Sequence, residues 1–203
     1  PDAPLFAMVQ RQVDHLVRLV DDLLEISRIS SGKVDLRQEN VAVSDFLRHA
    51  LESCQPLIEN KRHRVTVKVA DEPLQVFGDS VRLAQIAANI INNAAKYTPP
   101  GGRIEIDAAR GDDEVVLRVR DNGVGISADM MPRVFDLFAQ TDGQIRLSEG
   151  GLGIGLALVR SLVEIHGGRV EARSAGVGRG SEFIVSLPLA DRAYPAASRS
   201  SGG

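Results

Sequence analysis

Three groups of residues in this chain have types and spacings suited to holding a phosphorylated ligand. The first is Asn89, Asn93 and Lys96, inside the run DSVRLAQIAANIINNAAKYTPP from Asp79 to Pro100. Asn89 and Asn93 are four apart, so they share one face of a helix, and Lys96 lies about one turn further on. Amide oxygens suit the oxygen shell of a hard cation, and a Lys suits a phosphate. Asn is a mediocre helix former, so two in register point to side chains kept for what they bind.

The second group is Asp121-Asn122-Gly123-Val124-Gly125-Ile126, directly after a strand-like run. An acid at a strand end can accept a hydrogen bond from the amino group of a base, and glycines two apart let the backbone approach a ligand. The same residues also make an ordinary tight loop capped by Asp121. The third group, Gly150-Gly151-Leu152-Gly153-Ile154-Gly155, opens a helix. Its backbone N–H groups and the positive end of the helix dipole form an anion site. No G-K-[ST] follows, so it is not a Walker A loop, and no strand leads straight into it as in a dinucleotide fingerprint. A flexible hinge is the plainer alternative.

These groups need elements to position them. Leu83, Ile86, Ile90 and Ile91 make the buried stripe of a helix capped by Asp79 or Ser80 and stopped by Pro99-Pro100-Gly101-Gly102. At the start of the chain, residues 5 to about 30 read as a long helix. Phe6, Val9, Val13, Leu16, Val20 and Leu23 recur in steps of three and four, a heptad-like stripe that needs a partner helix or must pack on the domain that follows. Short strands are expected at Val34–Leu36, His63–Val69 (Val65, Val67 and Val69 inward) and Leu74–Phe77. A helix capped by Ser44 is expected to run to about Asn60. The turn Gly111-Asp112-Asp113 joins strands over 103–107 and 114–120. Short helical turns over 127–138, a polar loop over 139–151 and a helix over 153–166 follow. Strands over 169–173 and 182–187 close the domain, and a tail rich in Ala, Ser and Gly reads as disordered. The strands lie too close together for a doubly wound fold. The order predicts an α+β fold, a two-layer sandwich with a mixed, mostly antiparallel sheet under one helical layer, preceded by one long helix.

Composition narrows the function. Among 203 residues, 24 basic and 27 acidic side chains give a net charge of −3, with no basic stripe, so no nucleic-acid partner is expected. The single Cys54 cannot form an internal disulfide and reads as a small buried residue in a reducing, cytoplasmic setting. No apolar run approaches membrane-spanning length and no signal peptide opens the chain, so no membrane contact by this stretch is expected. A first residue other than Met leads us to expect a piece of a longer protein.

The order and spacing of the three groups resemble the ATP-binding catalytic domain of sensor histidine kinases, in the superfamily that includes gyrase-type, Hsp90-type and MutL-type ATPases. The resemblance covers about residues 10–189. N-I-I-N-N-A-A-K-Y-T-P is similar to the N box, D-N-G-V-G-I to the first glycine box, and V-F-D-L-F (Val134–Phe138) to the F box. G-G-L-G-I-G-L-A-L is similar to the second glycine box and G-R-G-S-E-F (Gly178–Phe183) to the third. The resemblance implies the Bergerat-type fold, with ATP and Mg²⁺ as ligands. By it, Asn93 is the metal-binding Asn, Asn89 lies near metal and phosphates, and Lys96 contacts phosphate with Tyr97 packed by the nucleotide. Asp121 reads the adenine amino group beside Gly123 and Gly125, and Ser181 lies near the adenine. Gly151, Leu152, Gly153 and Gly155 form the phosphate site where the lid meets the helix. The lid is Ala139–Gly150, from which Arg146 reaches the phosphates, with Phe135 and Phe138 as packing that secures it.

Gyrase-like members place a glutamate one turn before the metal-binding Asn, as general base for water. Here that position is Asn89, which takes no proton. Phosphoryl transfer is therefore expected over hydrolysis. In the family the acceptor is a His on the first helix of a dimerisation hairpin, and residues 5–31 resemble the second helix of that hairpin. None of His15, His49, His63 and His166 sits in an H-E-[LF]-R-x-P setting. His15, beside Asp14, reads as a solvated helical residue, and His63 and His166 as structural. The expected organisation is 1–31 as the second hairpin helix, 32–190 as the catalytic domain and 191–203 as a tail. The implied partners are a response-regulator receiver domain and, through the hairpin, a second copy of the parent. A non-catalytic nucleotide-sensing module and a gyrase-like or MutL-like ATPase are the rivals.

Overall fold

The computed structural model describes residues 3–70, 73–139 and 153–190. The chain opens with α1 (Ala3–Ser30), followed by β1 (Glu39–Ala42), α2 (Val43–Asn60), β2 (Arg64–Val69), β3 (Gln75–Gly78) and α3 (Ser80–Tyr97). Then come β4 (Arg103–Arg110), β5 (Glu114–Asp121), a 3₁₀ turn (Met131–Arg133), α4 (Gly155–Ile165), β6 (Arg169–Arg173) and β7 (Ser181–Pro188). The main sheet has the order β2-β4-β5-β7-β6, with β2 parallel to β4 and every other neighbour antiparallel; β1 and β3 form a separate antiparallel pair. This is the expected α+β sandwich, with α2, α3 and α4 bearing the buried helical faces above one face of the sheet.

Register aligns the inward side chains in rows across the strands. Val67, Ile106, Val119, Phe183 and Ala172 make one row; Val69, Ala108, Leu117, Val185 and Val170 make the next. The third row begins with Val65 and Ile104 but continues with Asp121 and Ser181. The apolar layer thus turns polar at one corner, and a cavity lies there.

Local physics explains the departures from sequence expectation. Val34–Leu36 is unpaired; the strand lies later, at Glu39–Ala42, where β3 offers a partner. That β1 runs straight into α2, so Ala42 occupies the N-cap position with no side-chain cap and Ser44 is inside the helix. Val67 is 42% exposed because β2 is an edge strand that α2 covers only in part. Asp79 does cap α3: its Oδ1 accepts from Val81 N–H and Arg82 N–H at 3.1 and 3.2 Å, and its Oδ2 accepts from Arg37 N–H. Cys54 is buried, and that burial raises its thiol pKa.

The long helix divides in two. Phe6, Val9, Val13, Leu16 and Val20 are exposed, whereas Ile26 and Ile29 pack against the core. Glu25 bridges to α3, pairing with the Arg82 guanidinium and accepting from Gln85 Nε2 at 2.9 Å. The expectation that the helix packs on the domain that follows holds for its C-terminal end, while the stripe nearer its start is left exposed. Among the described residues no helix is long and apolar enough to cross a membrane.

Candidate functional site

A cavity of about 370 Å³ opens at the polar corner of the sandwich. One wall is α3, which contributes Asn89, Asn92, Asn93, Lys96 and Tyr97. The opposite wall is the start of α4 with Gly153, Ile154 and Gly155. Val124, Gly125 and Ile126 follow from the loop after β5, and Ser181 and Phe183 come from β7. The structure therefore brings Asn89, Asn93, Lys96, Tyr97, Gly125, Gly153, Gly155 and Ser181 to one place. Arg146, Gly151 and Leu152 lie outside the described residues, as does the expected lid after Ala139.

Asp121 and Gly123 sit behind the wall. Asp121 is 6% exposed; its Oδ1 accepts from Gly123 N–H at 2.7 Å, and its Oδ2 accepts from the Ser181 hydroxyl at 2.5 Å. The carboxylate thus caps the loop, and the Ser181 hydroxyl bonded to it is the group of the pair that lines the cavity. The glycines also carry a reason that motif spacing does not convey. A Cβ on Gly123 would come within 2.5 Å of Tyr97 O, and one on Gly125, at φ +70°, within 2.2 Å of Gly176 O. These positions are glycine because loop packs on loop there, before any ligand approaches. Ser174, not singled out by any motif, ties these loops together. Its hydroxyl donates to Gly180 O at 2.7 Å, and its oxygen accepts from Ile126 N–H at 3.0 Å.

Two features of the cavity call for a ligand. Among the described residues the buried Asn89 Nδ2 has no hydrogen-bond partner, and an unmade bond of that kind costs about 1–3 kcal/mol. Among the described residues the α4 N-terminus has no side-chain cap, and its first residues, Gly153 to Gly155, line the cavity close to the Asn89 amide, at the positive end of the helix dipole. The Lys96 ammonium lies 4.8 Å from the centroid of the Tyr97 ring, one cation beside the metal-type amides. The donors match polyphosphate, and the amide oxygens match a hard divalent cation.

Of the two F-box phenylalanines only Phe135 packs as expected; the Phe138 side chain is 57% exposed and only its backbone is tied in. Phe135 meets the Phe183 ring edge-on at 6.3 Å, and Phe138 N–H donates to Gly153 O at 3.2 Å. Of the other histidines, His49 is exposed and His63 and His166 are buried and hydrogen-bonded to backbone. Sequence reasoning missed Leu19 and Asp22, which reach the cavity wall from α1. Their only signal is helical phase, which says nothing of what the helix leans on.

Comparison with known proteins identifies the family. The profile of the histidine kinase-, DNA gyrase B- and HSP90-like ATPases matches residues 78–191, more than half of the chain, and the chain belongs to that family as an ATP-binding domain. Within it the similarity is to the catalytic domains of sensor histidine kinases. The chain is 37% identical over 182 residues to the sensor protein DivL of Caulobacter vibrioides, covering 90% of this chain and 23% of that one. It is 34% identical over 185 residues to the autoinducer 2 sensor kinase/phosphatase LuxQ of Vibrio parahaemolyticus, covering 88% and 21%. Full-length ShkA, solved in complex with AMPPNP, superposes with a TM-score of 0.79 at 30% identity over 93% of this chain and 39% of that one. The histidine kinase AdeS of Acinetobacter baumannii shares the fold at a TM-score of 0.78 and 22% identity, over 94% and 86% of the two chains. The chain spans about a fifth to a quarter of the two curated relatives named here.

Proposed function

We propose that this chain is the ATP-dependent catalytic part of a two-component histidine kinase, which moves the γ-phosphoryl group of ATP to a His on another helix for relay to a response-regulator Asp. In this reading 1–31 is the second helix of a dimerisation hairpin, 32–190 the catalytic domain and 191–203 a tail. The observation that carries it is the facing of Asn89, Asn93 and Lys96 on α3 against the uncapped start of α4 across one cavity.

The residue roles follow from their chemistry. Asn93 would hold Mg²⁺ through its amide oxygen, with Asn89 beside it. When bound, the metal would supply neutralisation of phosphate charge. Lys96 and the N–H groups at Gly153 and Gly155, with Gly151, Leu152 and Arg146 from the adjoining segment, would carry the remaining negative charge. Tyr97 packs against the nucleotide, and Asp121 with Ser181, flanked by Gly123 and Gly125, accepts the base amino group. Asn89 takes no proton, so α3 offers no base to activate water. Among the described lining the acid is Asp22, and it comes from α1 rather than α3. Catalysis is then positioning and charge stabilisation of an in-line transfer.

The exposed apolar stripe of α1 fits a second copy in a helical bundle. A receiver domain is the onward partner, and a cytoplasmic location goes with this chemistry. The test is incubation with γ-labelled ATP and Mg²⁺, with and without a separately made first helix carrying an acceptor His. Acid-labile label is expected on the added helix and not on this chain. Free phosphate without an acceptor would favour an ATPase, and binding with neither label nor phosphate a sensing module.

A further inference from the structure

The last four carbonyls of an α-helix have no partner inside it. In α3 the first of these, Ala94 O, takes the N–H of the C-cap residue, and the other three are satisfied from outside the helix, two of them by one turn. Thr98 N–H donates to Ala94 O at 3.1 Å, and Val124 N–H, from the loop after β5, donates to Tyr97 O at 3.0 Å. The other two partners come from the turn between α2 and β2. His63 Nε2 lies 2.9 Å from Ala95 O, and Lys61 Nζ donates to Lys96 O at 2.6 Å. Because Ala95 O can only accept, His63 carries its proton on Nε2; its buried Nδ1 has no partner among the described residues.

The turn is held firmly for this task. Arg62, between the two side chains, has φ +54°, a left-handed conformation that a non-glycine residue adopts at a cost. Gly101 N–H donates to Lys61 O at 2.8 Å, and Arg64 N–H donates to Gly102 O at 2.9 Å, so the turn is clamped to the segment that leaves α3. The Lys61 ammonium also sits at the negative end of the α3 dipole. The turn of α3 so gripped is the one that carries Asn93, Lys96 and Tyr97.

We propose that Lys61 and His63 are positioning residues for the nucleotide site, fixing the last turn of α3 through its carbonyls although neither lines the cavity. The proposal rests on the cavity being a nucleotide site. It is tested on the full 203-residue chain with Lys61→Met and His63→Leu, and with Lys61→Arg and His63→Gln as variants that keep a donor. Two quantities are read: hydrogen exchange of the amides from Asn93 to Thr98, and affinity for Mg²⁺-AMPPNP. Lys61→Met and His63→Leu are expected to speed exchange in that turn about tenfold and weaken AMPPNP about fivefold, with the sheet amides unchanged. The donor-keeping variants should return both quantities to within about twofold of wild type. Lys61 is only half-buried, so its Met variant folds even where His63→Leu does not. Unchanged exchange, or loosened exchange with unchanged affinity in Lys61→Met, would overturn the proposal. If the wild type itself fails to bind AMPPNP, the nucleotide reading falls and this role with it, a result the wild-type titration separates from failure of the cap alone.

Discussion

Asp121 and Ser181 stand opposite one another in the β5–β7 ladder, and the Ser181 hydroxyl donates to Asp121 Oδ2 at 2.5 Å. Their pairing converts an inward-facing apolar row into a hydrogen-bonding corner. With Oδ1 taken by Gly123 N–H, the carboxylate organises the loop and the cavity wall together.

Asp121→Asn tests that double role. An amide can still accept from Gly123 N–H, and Ser181 can rotate its hydroxyl to accept from the new NH₂. Stability should change by less than about 1 kcal/mol, while a base amino group now meets a donor and affinity falls about tenfold or more. Thermal unfolding and titration with AMPPNP check both halves. Unchanged affinity would count against the adenine contact.

Asn93→Ala separates metal from nucleotide. In the wild type Mg²⁺ should tighten nucleotide binding about tenfold or more; the variant should lose most of that gain, with metal-free affinity held within about twofold. Paired titrations in Mg²⁺ and in chelator measure it.

His166 gives the domain a pH dependence. Its Nδ1 lies 2.7 Å from Leu162 O, and its Nε2 accepts from Asp79 N–H at 3.1 Å, so the ring is neutral where it sits. Burial lowers its pKa from the ordinary 6.5, against the opposing pull of the Leu162 carbonyl. The unfolded chain therefore binds a proton that the native state refuses. The contribution is fully present above about pH 6.5 and is lost as pH falls towards the lowered folded value, with a slope of at most about 1.4 kcal/mol per pH unit. Unfolding midpoints measured from pH 7.5 to 5.5 should fall for the wild type and flatten for His166→Gln.

Glu25→Ala addresses the docking of α1. Glu25 is largely buried against Arg82 and Gln85, so its loss leaves Arg82 without its carboxylate partner and with only Gln85 Oε1 to accept from it among these groups. Exchange of the α1 amides from about Leu19 to Ser30 should quicken, while the sheet stays protected. Equal protection in both proteins would show that Ile26 and Ile29 alone hold the helix.

Much of this arrangement was legible because it is local. The α3 stripe, its Asp79 cap and its Pro stop are all written within one segment, and the strand pair about Gly111 is a single hairpin. What stayed hidden is non-local. β1 exists because β3 pairs with it, and nothing in E-N-V-A alternates enough to announce a strand. The parallel pairing of β2 with β4 leaves no mark in the alternation of either. At the site, most of the residues singled out by type line one cavity, but the placement of Asp121 behind Ser181, and of Asp22 in the wall, depends on register and helix phase.

The two-part character of α1 has a mechanical consequence. Its 28 residues form a rod about 42 Å long, bare and apolar at one end, with Leu19 and Asp22 in the cavity wall further along. Because the docked end of α1 carries both the Glu25–Arg82 pair and these two wall residues, whatever loosens α1 from α3 also alters the lining of the cavity.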